Sequence, residues 1–163
     1  MTIQAGVITV SDKGSRGERE DKSGPEIVAM LESMGISVLH SKIIPDEQPL
    51  IRDVLIEYAD IKKLDLILTT GGTGVSPRDV TPDATLQVIE KEVPGMAEAM
   101  RRESEKITPR AMISRAVAGI RGTSLIINLP GSPKGVRENL TVILPALNHA
   151  LEKIKGDERE CGS

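Results

Sequence analysis

Short aliphatic runs alternate with amphipathic helical patterns along most of the chain, and this alternation constrains the fold more than any other feature. Four runs have the length and composition of strands, at residues 5–10, 36–44, 64–68 and 125–129, and the last is predicted to be buried. Between the first two runs, apolar residues recur at helical spacing, at Ile27, Met30, Leu31 and Met34. Because parallel strands need long, right-handed crossovers, the pattern predicts an α/β fold: a three-layer, doubly wound, mostly parallel sheet with helices on both faces.

Residues typical of helix ends delimit the segments between the strands. Ser23 and Glu26 have the spacing of a capping box, and Gly35 is placed to end the helix that they begin. Residues 13–22, which are polar and charged, are predicted to form a loop. Prolines suited to a first helical turn are expected to begin three later helices, at Thr81-Pro82, Pro94 and Pro133.

The remaining apolar positions predict which side chains face the core. One helix is expected to bury Leu50, Ile51, Val54, Leu55 and Tyr58, and the helix that begins at Thr81 is expected to bury Leu86 and Ile89. Residues 112–120 are a weaker strand candidate, paired with the strand that follows. We expect residues 1–156 to form one domain and residues 157–163 a polar tail.

Composition excludes several classes of protein. The 163-residue chain has no Trp or Phe and only one Tyr, so its core is aliphatic, and its net charge is −3. These features disfavour a nucleic-acid-binding protein, which would show a basic surface and stacking aromatics. The single cysteine, Cys161, predicts no disulfide framework. With no apolar run of membrane-spanning length and no secretory signal pattern, we expect a cytoplasmic protein without membrane contact.

Polar residues follow four of the predicted strands at their carboxyl ends. These segments are Ser11-Asp12, Pro45-Asp46, residues 69–79 and residues 128–134. Open parallel sheets bind their ligands at this edge. The sequence therefore predicts a single ligand site assembled from several strand ends.

The stretch from Leu68 to Asp83 has the order of a strand, an anion-binding loop and a helix. Gly71, Gly72 and Gly74 allow positive φ and a close approach of the backbone to a ligand, although a turn without a ligand is the alternative interpretation. Neither a Walker loop nor a dinucleotide-binding fingerprint is present. The sequence thus predicts a phosphate-sized site, with further hydroxyl donors from Thr69, Thr70, Thr73 and Ser76.

The start of the last helix is a second candidate anion site, at residues 130–133. Ser132 could bind an anion there or simply cap the helix, and Lys134 could contact a phosphate or be an ordinary surface lysine.

Three aspartates at the strand ends could together hold Mg²⁺ beside a phosphate. Each has an ordinary alternative: Asp46 as a helix cap, Asp79 as a turn acceptor or a partner of Arg78, and Asp12 as a loop residue. His40 and His149 do not fall at strand ends, and neither a hydrolytic triad nor a zinc pattern is visible. This set suits phosphoryl or nucleotidyl transfer, in which positioning and charge neutralisation provide most of the catalysis.

Eight ordered motifs resemble those of the MogA/MoaB family of molybdenum-cofactor biosynthesis proteins, and also the G domain of gephyrin. The resemblance covers residues 5–156. The motifs stand at residues 8–12, 21–25, 44–47, 69–74, 78–85, 94–96, 114–121 and 129–134.

The resemblance implies an enzyme, a homotrimer, that transfers AMP from Mg-ATP to molybdopterin and releases pyrophosphate. It implies that Asp46 and Asp79 are the catalytic aspartates and bind Mg²⁺, and that Ser114 lies on the molybdopterin side. The expected nucleotide- and substrate-binding residues are Ser11, Asp12, Thr70, Gly71, Gly72, Thr73, Gly74, Ser76, Arg78, Asp83, Asn128, Pro130, Gly131, Ser132 and Lys134. The adenylylated pterin would pass to the metal-insertion enzyme of the same pathway, a possible partner.

Two other functions remain open on the same fold. One is a non-catalytic molybdopterin-binding or scaffold protein of the MoaB type, and the other is a nucleotide pyrophosphatase. The sequence also leaves open the MogA or MoaB subtype, and molybdenum or tungsten as the metal that is finally inserted.

Overall fold

The computed structural model describes residues 2–159, which form one six-stranded sheet flanked by helices. The strands are β1 (Gln4–Val10), β2 (Ser37–Ile44), β3 (Leu66–Thr70), β4 (Lys91–Glu92), β5 (Ala118–Arg121) and β6 (Ser124–Leu129). The α-helices are α1 (Asp12–Ser15), α2 (Ser23–Ser33), α3 (Gln48–Ile56), α4 (Thr81–Val88), α5 (Pro94–Glu105) and α6 (Pro133–Ile154). A π-helical turn (Glu57–Ile61) follows α3, and a 3₁₀ helix (Pro109–Ile113) follows α5.

The strand order is β2-β1-β3-β6-β5-β4, and the first four strands are parallel. β5 and β4 extend the sheet in the antiparallel sense. The predicted doubly wound, mostly parallel α/β architecture is therefore confirmed. Chain order reverses at β1, because β2 lies on one side of it and β3 on the other. Such a reversal opens a crevice at the carboxyl ends of the central strands.

Two apolar clusters cover the two faces of the sheet, which explains why the central strands are aliphatic throughout. Successive strand residues point to opposite faces, so Val7 belongs to one cluster and Ile8 to the other. The first cluster contains side chains from α2, α5 and α6, and the second contains side chains from α3 and α4. At about 25 cal/mol per Å² of buried apolar surface, these two interfaces are the main stabilising term of the fold.

The predicted capping box at the start of α2 is wrong. Ser23 already lies within the helix, and its hydroxyl donates to the carbonyl of Gly131 at 2.6 Å. Asp21 caps the first turn instead, because its Oδ1 accepts a hydrogen bond from the Gly24 N–H at 3.0 Å. Asp21 therefore takes the capping role predicted for Ser23, whose hydroxyl is bound to a partner 108 residues away in the sequence. The preceding segment, predicted as a loop, begins with helix α1.

Three other local predictions need correction. Leu50 is 46% exposed and Leu86 is 49% exposed, because Ile51 and Leu55 of α3 and Val88 of α4 occupy the inward faces of their helices. Residues 112–120 are not one strand, since the 3₁₀ helix extends to Ile113 and β5 begins only at Ala118. The predicted pairing with the following strand is confirmed, as β5 is antiparallel to β6.

The last helix ends at Ile154, and of the predicted polar tail the structure describes residues 157–159. Cys161 lies outside the described residues. Within residues 2–159, every helix is too short or too polar to cross a membrane.

Candidate active site

Two neighbouring cavities open at the carboxyl ends of the parallel strands. The first has a volume of about 900 Å³, and the predicted site residues that line it are Ser11, Asp12, Asp46, Thr70, Gly71, Gly72, Gly131 and Ser132. The second has a volume of about 450 Å³, and the predicted residues that line it are Thr73, Gly74, Ser114, Asn128, Pro130, Ser132 and Lys134. The glycine loop, residues 71–74, therefore contributes to both cavities, and Ser132 lines both.

The glycine loop passes very close to β1 and to the start of α4. Gly71 has φ +97°, and a Cβ at this position would lie 2.3 Å from the carbonyl oxygen of Val10. Gly72 has φ +69°, and its Cβ would lie 2.4 Å from the hydroxyl oxygen of Thr81. The expected positive φ angles are thus present at these two glycines, whereas Gly74 has none. Only glycine allows the loop to lie this close to its neighbours.

Asp12 and Asp46 join the ends of β1 and β2 by two reciprocal hydrogen bonds. The Asp12 backbone N–H donates to Oδ2 of Asp46 at 2.8 Å, and the Asp46 backbone N–H donates to Oδ1 of Asp12 at 3.0 Å. We call this arrangement the aspartate pair. It places both carboxylates at the floor of the first cavity.

Arg78 neutralises Asp12 rather than Asp79. Its guanidinium donates to both carboxylate oxygens of Asp12, at 2.9 and 3.1 Å, and to Oε1 of Glu47 at 3.3 Å. These hydrogen bonds hold the pKa of Asp12 below its usual range. Asp79 has the other role considered for it, that of a turn acceptor, because its Oδ2 accepts from the Ser76 N–H at 3.0 Å.

Burial disfavours the charged form of the Asp46 carboxylate. Burial raises its pKa above the usual range, and the nearby charges of Asp12 and Asp79 raise it further. The hydrogen bond from the Asp12 N–H acts in the opposite direction but does not outweigh burial. Such a partly buried anion beside other carboxylates is a suitable place for a cation.

The donor set fits Mg²⁺ only with help from a substrate. Residues 2–159 contain no group of three or more His, Cys, Asp or Glu side chains that could hold a metal ion. Asp12 is engaged by Arg78, so the structure does not support the predicted three-aspartate site. Asp46 and Asp79 remain, and Mg²⁺ is commonly bound by one or two carboxylates that are completed by substrate phosphates and water.

Four predicted residues line neither cavity: Ser76, Arg78 and Asp79, which lie between the glycine loop and α4, and Asp83, which lies in the first turn of α4. Ser76 and Arg78 are exposed, and Asp83 pairs with Arg115 at 3.0 Å. Asp79 is nevertheless close enough for its charge to act on Asp46. The structure therefore places this segment at the rim of the site.

Ser114 follows the 3₁₀ helix and lies in the second cavity with Thr73 and Gly74. Its Oγ accepts from the Ala116 N–H at 3.3 Å. Arg101 of α5 holds the backbone on both sides of this bond, since it donates to the carbonyls of Ser114 at 3.4 Å and Ala116 at 2.9 Å. Ser114 is therefore fixed relative to the sheet.

Asn128 and Thr70 support the site from below. Asn128 is fully buried, and its Nδ2 donates to the hydroxyls of Thr69 and Thr85 at 2.9 and 3.0 Å. Its Oδ1 accepts from the Val117 N–H at 3.1 Å. The amide is thus engaged by protein partners, and the nucleotide contact expected of Asn128 stays a prediction. Thr70 likewise donates to the Pro130 carbonyl at 2.6 Å, which joins the ends of β3 and β6.

Ser132 has the capping role that was considered for it, and Ser11 caps α1 in the same way. The Oγ of Ser132 accepts from the Gly135 N–H at 3.0 Å, and the Oγ of Ser11 accepts from the Gly14 N–H at 2.9 Å. Lys134 is exposed, with its Nζ 3.9 Å from Oε1 of Glu138. Each of the three still lines a cavity.

Sequence reasoning missed Arg115 and Asp21. Arg115 binds the glycine loop and α4, and Asp21 accepts from the Thr9 hydroxyl at 2.8 Å at the wall of the first cavity. Both residues lie within motifs of the family resemblance, at residues 21–25 and 114–121, and only this position in a motif could have identified them as site residues. The partners Thr9 and Gly74 lie 12 and 41 residues away in the sequence, so spacing alone did not reveal these roles.

A family model described as a probable molybdopterin binding domain matches residues 6–149. A molybdopterin adenylyltransferase of Helicobacter pylori is 46% identical over 159 residues, which cover 96% of this chain and 90% of that protein. The Escherichia coli K12 molybdopterin adenylyltransferase is 45% identical over 85% of this chain and 72% of its own. Gephyrin of Dictyostelium discoideum is 47% identical over 90% of this chain but only 22% of its own length.

Solved structures of similar proteins have the same fold. A crystal structure described as the molybdopterin biosynthesis enzyme MoaB of Thermus thermophilus has a TM-score of 0.90 and 51% identity, over 95% of this chain and 98% of that chain. A tungsten cofactor synthesizing protein MoaB of Pyrococcus furiosus has a TM-score of 0.83 and 38% identity, over 94% and 98% of the two chains.

Proposed function

The chain belongs to the family of probable molybdopterin binding domains, and from this membership we propose the reaction of its two cavities. The chain acts as a molybdopterin adenylyltransferase, which transfers AMP from ATP to molybdopterin and releases pyrophosphate. The observation that carries this assignment is the pair of cavities that meet along one glycine loop. Two substrates bound there would face each other across residues 71–74.

We assign the nucleotide to the first cavity. Gly71 and Gly72 let the backbone approach its phosphates, and the carboxylate of Asp46 lies beside them. Positive side chains that can meet phosphate charge also line this cavity, namely Lys13, Arg19 and Lys22. Its volume of about 900 Å³ is within the range of natural ligand pockets.

We assign the pterin to the second cavity, with Ser114 at its wall. Arg101, Arg110 and Lys134 also line this cavity and give it positive charge for a substrate phosphate. Glu138 offsets part of this charge, since it lies 3.9 Å from Lys134. In this arrangement, the pterin phosphate points toward the glycine loop.

The reaction is a displacement at the α-phosphorus of ATP. An oxygen of the pterin's terminal phosphate forms the new bond to this phosphorus, while the bond to the bridging oxygen breaks and pyrophosphate leaves with its electron pair. The attacking phosphate is already ionised at neutral pH, so no histidine is needed as a base. The protein contributes placement in line and backbone donors for the developing charge.

Asp46 and Asp79 would hold Mg²⁺, which neutralises charge on the transferring phosphates when it is bound. Asp46 is suited to this because its carboxylate is partly buried and lacks a cationic partner among residues 2–159. Asp79 would act from the rim, on a turn held by Ser76. Mg²⁺ stays a proposal that rests on this donor chemistry.

The decisive experiment is incubation with Mg-ATP and molybdopterin, followed by detection of adenylylated pterin and pyrophosphate. Asp46→Asn is expected to lower turnover by about 100-fold or more and to leave pterin binding nearly unchanged, because the lost charge acts on the phosphates. Turnover at the wild-type rate in this variant would remove Asp46 from the mechanism.

The same assay separates the two alternative functions. Tight molybdopterin binding without AMP transfer would indicate a scaffold protein, and pyrophosphate released in the absence of pterin would indicate a nucleotide pyrophosphatase. A homotrimer, a cytoplasmic location, contact with the metal-insertion enzyme and an absence of nucleic-acid binding all stay predictions. Relatives described with molybdenum-cofactor and with tungsten-cofactor synthesis have the same fold, so the inserted metal stays open.

A further inference from the structure

Arg115 binds the chain between the end of the glycine loop and the first turn of α4 at three separate points. Its Nε donates to the Gly74 carbonyl at 2.8 Å, and its Nη2 donates to the Asp79 carbonyl at 2.6 Å. The guanidinium also contacts both carboxylate oxygens of Asp83, at 3.0 and 3.2 Å. One side chain thus spans residues 74–83.

The turn between two of these points carries the catalytic aspartate of the proposed reaction. The Asp79 N–H donates to the Ser76 carbonyl at 3.0 Å, and the Ser76 N–H donates to Oδ2 of Asp79 at 3.0 Å. These two bonds hold the turn to itself but do not fix it to the rest of the molecule. Arg78 within the turn attaches it to Asp12 and Glu47 on one side, and the contacts of Arg115 with Gly74 and Asp79 attach it to the segment before β5 on the other.

The backbone of Arg115 connects the same turn to the second cavity. Its N–H donates to the Thr73 carbonyl at 2.8 Å, and the preceding residue is Ser114. Arg101 fixes Ser114 from the other side through the carbonyls of Ser114 and Ala116. The glycine loop and Ser114, which lie on two sides of the proposed reaction site, are therefore both held by residues 114–116.

We propose that Arg115 is a positioning residue, which fixes Asp79 and the glycine loop relative to Ser114 and so aligns the two substrates. This inference rests on the proposed adenylyl transfer. The planar guanidinium is needed because it presents donors in several fixed directions, whereas the ammonium of a lysine cannot reach three acceptors in this geometry. Arg115 lines neither of the two substrate cavities, so it acts through the residues that it holds.

The exposure of the ion pair argues that its main role is placement rather than stability. The side chains of Arg115 and Asp83 are 39% and 40% exposed, and pairs this open to water stabilise a fold only slightly. A displacement of about 1 Å in a catalytic group, in contrast, can lower a rate by about 100-fold. Loss of Arg115 should therefore affect turnover far more than folding.

Arg121 provides a matched control. It also donates to both oxygens of a carboxylate, that of Asp60, and to one backbone carbonyl, that of Val88. It lines neither cavity. Arg121→Gln and Arg115→Gln thus remove comparable sets of hydrogen bonds, one remote from the site and one beside it.

The test compares kcat, KM, the calorimetric affinity for ATP and the midpoint of thermal unfolding in the two variants. We expect Arg115→Gln to lower kcat by about 100-fold while ATP affinity stays within about threefold of the wild type, and Arg121→Gln to leave kcat within about twofold. Both variants should unfold at similar temperatures. Arg115→Lys should recover less than a tenth of the lost kcat, because charge alone does not restore the three contacts.

A double-mutant cycle with Asp79→Asn, followed under single-turnover conditions, tests whether Arg115 acts through Asp79. In the Asp79→Asn background, Arg115→Gln should cost at least about tenfold less than it does in the wild type, since the carboxylate that it places is already gone and only its hold on the glycine loop remains. Additive losses, an Arg115→Gln loss confined to ATP affinity, or full rescue by lysine would each overturn the inference. If the wild type transfers AMP and any of these results is found, only the inference fails, whereas absence of transfer by the wild type contradicts the proposed function itself.

Discussion

The pKa of Asp46 depends on its burial and on the neighbouring charged residues of the site. Burial and the charges of Asp12 and Asp79 raise its pKa, while Arg78 lowers it from a greater distance. For Asp12 the balance is reversed, because the Arg78 guanidinium donates directly to its carboxylate. Two aspartates joined by reciprocal hydrogen bonds therefore have pKa values shifted in opposite directions.

The first prediction concerns these two pKa values in metal-free protein. We expect NMR carboxyl titration to find the pKa of Asp46 above the usual range and that of Asp12 below it, and Arg78→Gln to raise both. Asp46 then contributes stability at low pH that is lost as pH rises through its pKa, whereas the contribution of Asp12 is lost as pH falls through its own. Arg52→Gln, whose guanidinium pairs with Asp53, is the control. An unchanged pKa of Asp12 in Arg78→Gln would contradict the assignment.

Some local sequence patterns predicted the helices and strands correctly, and others did not. The aliphatic runs predicted β1, β3 and β6 because strands covered on both faces must be apolar throughout. The capping box of α2 failed because Ser23 has a tertiary partner at Gly131, and no local rule contains that partner. The same reason explains Asn128, whose polar side chain at a strand end suggested a ligand contact but binds Thr69, Thr85 and Val117 inside the fold.

The contact between the glycine loop and β1 supports a second prediction. Gly71→Ala should lower the free energy of unfolding by about 3 kcal/mol or more, because the new methyl group meets the Val10 carbonyl and φ is positive. Gly17→Ala is the matched control, since Gly17 also has positive φ but no atom within 4 Å of the added Cβ. It should cost only about 1–2 kcal/mol. Equal costs in urea unfolding would show that backbone conformation alone, not the close approach, requires glycine at Gly71.

At the scale of the whole molecule, the sequence located the correct edge of the sheet but not the division of that edge into two cavities. Strand ends follow from strand assignment, and Asp46, Gly71 and Gly131 were found in this way. The second cavity depends on the 3₁₀ helix and on the packing of α5 against α6, which bring Ser114 and Lys134 to the same space. Contacts of this kind arise from the packing of elements that are distant in the sequence, and they produce no periodic pattern from which they could be predicted.

The third prediction concerns assembly. The family resemblance implies a trimer, and large apolar side chains such as Leu39 and Ile43 of the edge strand β2 are about half exposed. We expect light scattering to give three times the mass of one chain. Lys substitutions at exposed apolar positions should lower this mass only where the residue lies in the interface, so Leu39→Lys and Ile61→Lys form an informative pair. A monomeric wild type would contradict the assembly.

The aspartate pair has a consequence for how this edge of the sheet can change. Each carboxylate is both a charge facing the cavity and the acceptor that fastens one strand end to the other. An amide oxygen can still accept the partner's N–H, so asparagine removes the charge and keeps the fastening, whereas alanine removes both. The charge at this edge of the sheet can thus be removed without releasing the strand ends, and Asp46→Asn is expected to keep the architecture while lowering the rate of the proposed reaction.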